Sequence, residues 1–258
     1  MIEWKLDMPI TVTASEALAN RTENTFRQAL ARPFYRRLYM GSAPTRGGKV
    51  DESKIDQPQA YLVEQPENST VSAHFHDTNQ FQIFVHGGGY FGKKPVDGMV
   101  VHYAGAHTPY GPIEAGPKGA HYMTLRNKWD SGAKVMPENR NKLRKIKRMH
   151  RIAESVSIPD ATARQAIKTE VTDLVPLEED GLGVRQFDIG PDRGFTVAFD
   201  SLGAGAYAFV AGGSVSHDGN ALETHSLLYL AVEEAPLMLT AGDQGTSVLL
   251  LQFPPEPD

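Results

Sequence analysis

No cysteine occurs in the chain. Disulfides, thiolate metal ligands and a cysteine nucleophile are therefore excluded. Long apolar runs are missing too. None approaches the roughly 18 residues that a membrane-spanning helix requires, so no membrane partner is expected. The opening stretch from Met1 to Val12 carries charges among its apolar residues and no small-residue cleavage site, which argues against a secretory signal and for a cytoplasmic protein. Gly-x-Ser-x-Gly is absent, and the stretch Gly87 to Lys93 that matches Gly-x-x-x-x-Gly-Lys is followed by Lys94 rather than Ser or Thr, so the familiar serine nucleophile elbow and the complete phosphate-loop motif are excluded.

What the chain does have is an ordinary globular composition, 40% hydrophobic and 22% charged over 258 residues, and a net charge of -5 that is unevenly spread. Between Arg126 and Arg151 stand ten Lys/Arg against two Asp/Glu, a local +8, which leaves -13 for the rest. From Ala60 the texture is one of short β-type runs (AYLVEQ, TVSAHFH, QFQIFVH, MVVHYAG, HYMTLR) separated by turn residues. Similar runs resume at Val184 and continue to SVLLLQF. This spacing predicts an all-β chain of the sandwich or barrel type. The basic block between the two β regions predicts a helix after Pro137, with Leu143, Ile146, His150 and Ala153 on one stripe. A solvated helix is expected there rather than a nucleic-acid site, since the remainder of the chain is acidic and no recognition motif accompanies the block. Before the first β region, Ser15 to Tyr39 reads as a helix or two broken at Pro33.

The β regions share a short likeness. Phe84-Val85-His86-Gly87-Gly88-Gly89 matches Phe209-Val210-Ala211-Gly212-Gly213-Ser214 at four of six positions, at an offset of 125. With comparable strand content, this predicts a duplicated β domain.

The chemistry concentrates at His74-Phe75-His76-Asp77-Thr78-Asn79-Gln80. Residues two apart on a strand point the same way, so His74 and His76 can present two imidazoles to one point. Gln80, opening the next strand, can add an oxygen. Two imidazoles from one strand suit a first-row divalent metal. If alternation holds from Gln80, then Gln82, Phe84 and His86 also face inward.

The spacing His-x-His-x3-Gln-x6-Gly resembles the first signature of the cupin superfamily, with the family's leading Gly at Asn68 and its Glu replaced by Gln80. Gly105-Ala106-His107-Thr108-Pro109-Tyr110-Gly111 is similar to the second signature, with His107 in the metal-binding place and Gly111 where the family has Asn. The resemblance implies a duplicated cupin jelly-roll barrel: an N-terminal arm at 1–54, a metal-binding half at 55–127, a basic helical connector at 128–169 and a degenerate second half at 170–258. It implies a divalent metal held by His74, His76 and His107, with His102 and His121 as alternatives to His107. Gln80 is either a direct ligand or a partner of metal-bound water. Gln82, His86 and Tyr103 would then orient a substrate or shuttle a proton. Tyr110 is either a further donor or a packed aromatic.

Replacing Glu by Gln leaves such a metal at +2 rather than +1, which favours a small anionic or chelating substrate. Within the resemblance, an Fe(II)-type dioxygenase is the first expectation. A non-oxidative isomerase, lyase or hydrolase using Zn, Mn or Ni is the second, and a non-catalytic ligand-binding cupin the third. The second half, where His74, His76 and Gln80 fall at Phe199, Ser201 and Gly205, is expected to carry no site. The aromatics of the arm (Trp4, Phe26, Phe34, Tyr35 and Tyr39) suggest docking on a second copy in a homodimer.

Overall fold

The computed structural model describes residues 9–23, 32–44, 52–232 and 234–257. The chain forms two compact β units. The first holds residues 17–157 together with the chain's end from Glu256; the second holds residues 158–255 and the segment up to Glu16.

The first unit is built on a nine-stranded sheet. Its main path runs His150–Val156, Met99–Ala104, Gln80–Phe91, Ile113–Arg126, Gln59–Gln65, Tyr35–Met40 and Arg21–Glu23, and all neighbours are antiparallel. Gln80–Phe91 and Ile113–Arg126 lie at the middle. Their inward rows alternate as strand geometry requires. Phe84 and Tyr122 enter an apolar cluster with Ile113, Val100 and Val63. Further along the same rows come Gln80 and Gln82 on one strand, Thr124 and Arg126 on the other, all buried. The interior is thus apolar over part of its length and polar over the rest. Beside it, the short strand His74–Phe75 pairs with Lys134–Val135, and His74 exchanges two 3.0 Å backbone hydrogen bonds with Tyr110.

The second unit repeats this order. Its eight-stranded sheet runs Ile10–Val12, Leu227–Leu230, Ala206–His217, Leu237–Gln252, Gly183–Ile189 and Thr169–Val175. Gln80–Phe91 corresponds to Ala206–His217, and Lys94–Asp97 to Asn220–Glu223, both at an offset of 126. The pairing Gln80↔Ala104 recurs at that offset as Ala206↔Leu230. So does a paired glycine contact. Gly87 and Gly119, each at φ +74, approach so closely that a Cβ on Gly87 would stand 2.0 Å from the Gly119 carbonyl oxygen. Gly213 and Gly245, at φ +70 and +68, repeat that 2.0 Å approach. The duplication is therefore real, but the sequence offset of 125 is corrected to 126. The run of glycines in both halves hid one residue of slip, and one residue exchanges the two faces of a strand. At the corrected offset Gln80, Gln82, His102 and Thr124 correspond to Ala206, Ala208, Leu228 and Leu250, which all join the second unit's apolar core.

Two expectations are revised. The basic block is not helical. It holds one 3-10 turn at Arg140–Lys142, and its end becomes the strand His150–Val156 on the sheet edge beside Met99–Ala104. Arg140, Arg144 and Arg148 would stack four residues apart along one helix face with no acidic partner between them, which opposes a helix. The stretch read as an arm contributes strands to both sheets: Ile10–Val12 pairs with Leu227–Leu230, and Tyr35–Met40 with Gln59–Gln65. It also holds a six-residue helix, Ala14–Ala19. Of its aromatics, Phe34 and Tyr39 are buried within the first unit, and Tyr35 carries the Arg21 guanidinium 3.4 Å above its ring. Trp4 and Phe26 lie outside the described residues.

Candidate ligand and metal site

The polar end of the first unit opens into a cavity of about 490 Å³, within the range of small-molecule sites. His74, His76, Gln80, Gln82, Tyr110 and Arg126 line its inner part. Each is at least nine-tenths buried, and Arg126 fully so.

Each histidine is oriented from behind. His74 donates from Nδ1 to the Ser72 carbonyl oxygen at 2.7 Å, and its Nε2 accepts from the Tyr110 hydroxyl at 2.9 Å. His76 donates from Nδ1 to Asp130 Oδ1 at 2.7 Å. Asp130 is itself fixed by the backbone N–H groups of Gly132 and Asp77, at 2.7 and 3.0 Å. In both rings the outer acceptor sets the tautomer, so Nε2 carries the lone pair and faces inward. This is how metal-ligating imidazoles are usually held.

Arg126 closes the inner wall. Its Nη1 donates to Tyr61 Oη at 3.1 Å and to Gln59 Oε1. Its Nη2 donates to Gln80 Oε1 and lies 3.2 and 3.3 Å from the two ring nitrogens of His76. Near-equal distances place it against the ring face, because an in-plane approach would strike Cε1. The His76 Nε2 lone pair therefore stays directed at the cavity. Gln80, its oxygen held by Arg126, turns its amide nitrogen to Tyr110 Oη at 2.6 Å.

The electrostatics follow from burial beside fixed charges. Burial, reinforced by Arg126, pushes the His76 imidazolium down to about 4 despite Asp130, so the ring is neutral at ordinary pH. Burial alone would raise the Asp130 carboxyl, but His76, Arg126 and Lys134 hold it well below the usual carboxylate range. Burial pushes the Tyr110 phenol up, so it remains a proton donor. Towards the mouth stand Arg36, Lys134 and Lys142. Lys134 is paired with Asp77 and Asp130. Among the described residues, four cations and no Asp or Glu line the cavity.

The sequence-predicted residues separate into two groups. His74, His76, Gln80 and Gln82 come together. His107 does not line the cavity: its ring packs 5.6 Å from Phe75, on the opposite face of the strand from His74 and His76. Its Nε2 stands 4.0 Å from Asp77 and its backbone N–H donates to the His76 carbonyl oxygen at 2.8 Å. His86 is exposed and packs on His121. The ladder to Ile113–Arg126 slips one residue between His121 and Tyr122, so Val85 is extra and the alternation from Gln80 inverts at His86. Tyr103 pairs in register with Phe81 and packs on it at 5.0 Å, on the face away from Gln80 and Gln82. His102 is buried behind the cavity, with Nδ1 3.1 Å from Gln82 Oε1 and Nε2 on His150. Arg126 and Asp130 were missed. Alternation through Tyr122, Thr124 and Arg126 was the available signal for the first; nothing local marks the second.

A divalent metal would take the Nε2 atoms of His76 and His74, the latter in place of the Tyr110 hydroxyl proton. No three His, Cys, Asp or Glu among the described residues converge on one position. Any further ligands would be water or oxygens brought by a bound molecule.

No family model matches the sequence, and no curated protein matches it either. Solved structures do. A protein from Nostoc punctiforme described as a candidate dioxygenase aligns with a TM-score of 0.63 at 12% identity, over 92% of this chain and 80% of its own. The bacterial pirin YhhW of Escherichia coli, solved with nickel(II), aligns at 0.53 and 14%, over 95% and 98%. A variant of oxalate decarboxylase from Bacillus subtilis aligns at 0.52 and 11%, over 92% and 76%. The neighbours are cupin jelly-roll proteins, and this chain has that fold in duplicate.

Proposed function

We propose that the first unit binds a small carboxylate-bearing organic molecule in its cavity, beside a divalent metal held by His74 and His76, and converts it. The observation that carries this reading is Arg126: a fully buried guanidinium on the inner wall of a cavity that, among the described residues, is lined by cations and no acid. Its Nη groups are engaged by Gln59, Tyr61 and Gln80, so it favours a carboxylate through its charge, which a water-poor site leaves weakly screened. Gln82 and Thr124 add polar contacts, while Phe34, Val63 and Tyr122 supply apolar wall that excludes water. Tyr110, protonated at ordinary pH, donates to His74 Nε2 and would turn that proton to a ligand oxygen when a metal takes the nitrogen.

When bound, the metal would supply Lewis-acid polarisation and an open position for dioxygen or water. Oxygen-consuming chemistry, the class named for the Nostoc punctiforme neighbour, is the reaction we propose first, with iron as the metal. A second reading, carboxylate binding without metal, is supported by the closeness of Arg126 Nη2 to the His76 ring. Elemental analysis of protein purified without added metal, with calorimetric titration of simple mono- and dicarboxylates, tests both. Stoichiometric iron and oxygen uptake on carboxylate addition support the first. Binding without metal supports the second. Protein that binds neither metal nor any carboxylate overturns the proposal.

A further inference from the structure

Resting on that reading of the site, we infer that metal and carboxylate assemble together: the His74–His76 pair takes up a divalent cation tightly only when an anion occupies the cavity beside Arg126. Three observations carry this. The metal donors on offer are two neutral imidazole nitrogens, one of which, His74 Nε2, accepts from the Tyr110 hydroxyl until a metal takes its place; they are too few to hold a first-row dication firmly without further ligands. The oxygen that the sequence offers as a third donor, Gln80 Oε1, is engaged by Arg126. The wall around the two imidazoles carries positive charge, with Arg126 in contact with both His76 and Gln80 and with Lys134 and Lys142 towards the mouth. Among the described residues, the carboxylate that touches His74 or His76 is Asp130, which lies behind His76 on Nδ1, where it orients the ring and is shared with Lys134.

A dication entering alone meets a cation and two donors. A carboxylate entering with it changes each term. Its charge offsets the guanidinium, and its oxygens complete the metal's shell. Binding of the two is therefore positively coupled, and the coupling must be reciprocal. Such a site is not loaded by metal availability alone. Its occupancy reports the presence of the anion.

Nickel(II) and acetate serve as probes, since acetate chelates the free ion only weakly. Nickel(II) is titrated calorimetrically into the full chain with and without millimolar acetate. Acetate is titrated with and without saturating nickel(II). Acetate is expected to raise nickel affinity at least about tenfold, and nickel to raise acetate affinity by the same factor. Arg126→Gln is expected to bind nickel without acetate more tightly than the wild type does and to lose most of the acetate effect. A His74→Ala/His76→Ala double variant is expected to bind no nickel in the cavity under either condition. Equal nickel affinity with and without acetate in the wild-type chain overturns the coupling but leaves the metal site standing. Absence of nickel binding under every condition overturns both. The wild-type measurements decide the question even if Arg126→Gln fails to fold.

Discussion

Arg126 Nη2 lies 3.2 Å from Nδ1 and 3.3 Å from Nε2 of His76, a permanent cation against the face of a candidate metal ligand. The contact is tolerable because the ring is neutral and because Asp130 holds its far edge. It also makes Arg126 the residue on which the site's preference for anions turns.

Truncating that side chain tests its two roles at once. Arg126→Met removes the donors to Gln59, Tyr61 and Gln80 and leaves their oxygens buried. Unfolding stability is expected to fall by about 2–4 kcal/mol. Carboxylate affinity is expected to drop by a factor of roughly 100, the worth of a charge-assisted pair in a dry site. Denaturant melts and calorimetric titration measure the two separately. Unchanged carboxylate binding in a folded variant would remove Arg126 from the site.

Asp130 acts through His76 rather than on a ligand. In Asp130→Asn the side-chain oxygen can still accept from Nδ1, so the tautomer is retained while the charge is lost. Nickel affinity is expected to fall about 10–100-fold, as for other groups that hold a ligating imidazole. Lys134 and Arg126 lose a compensating charge, so stability falls as well, by about 2–4 kcal/mol. The informative readout is metal affinity in a variant shown to be folded. A folded variant with wild-type nickel affinity would leave Asp130 a purely structural role.

The duplicated β fold was legible because strand alternation and turn residues recur in both halves, and because Gly87 and Gly213 stand where a positive φ and a backbone contact both demand glycine. The pair His74 and His76 was legible for the same reason: a period of two puts them on one face. The failures have local causes. His86 was placed inward by an alternation that the extra residue Val85 inverts. His107 was placed in the site by spacing, whereas its loop sets it beside Phe75, on the wrong face. The helix expected in the basic block rested on an apolar stripe and neglected the like charges stacked beside it. Asp130 reaches His76 across 54 residues of sequence, and no short-range pattern records that.

The glycine contact gives a control for the fold. Gly87→Ala would set a Cβ 2.0 Å from the Gly119 carbonyl oxygen at φ +74, between backbone atoms that cannot step aside. A loss of about 3 kcal/mol or more is expected. Gly219 has a similar φ of +79 with nothing within 4 Å of its Cβ position, so Gly219→Ala carries only the conformational cost, about 1–2 kcal/mol. Equal losses in the two variants would mean that the close approach at Gly87 contributes nothing.

The end of the chain supplies a pH test. Glu256 Oε1 accepts from the Asn79 backbone N–H at 2.8 Å, one residue before Gln80, and Asn79 Oδ1 in turn accepts from Ala106 N–H at 3.0 Å. Burial pushes the Glu256 carboxyl up to about 7; the Asn79 N–H and Lys128 lower it, and Asp130 raises it further. A carboxyl whose folded pKa is raised contributes stability that is complete below its unfolded value and is lost as pH rises through the folded one. Between about pH 4.5 and 7 the native chain therefore holds a proton that the unfolded chain has released. Glu256→Gln keeps an oxygen for the Asn79 N–H and removes the titration. The variant is expected to match the wild type near pH 4.5 and to exceed it near pH 8, by about 1 kcal/mol once the group's partial exposure is discounted. Buried histidines such as His76 titrate with the opposite sign over much of this range, gaining stability as pH rises, but they are common to both proteins and cancel in the difference. Denaturant melts of both across this range give that difference directly. A gap that stayed constant with pH, or widened towards acid, would show that Glu256 is ionised in the folded chain throughout.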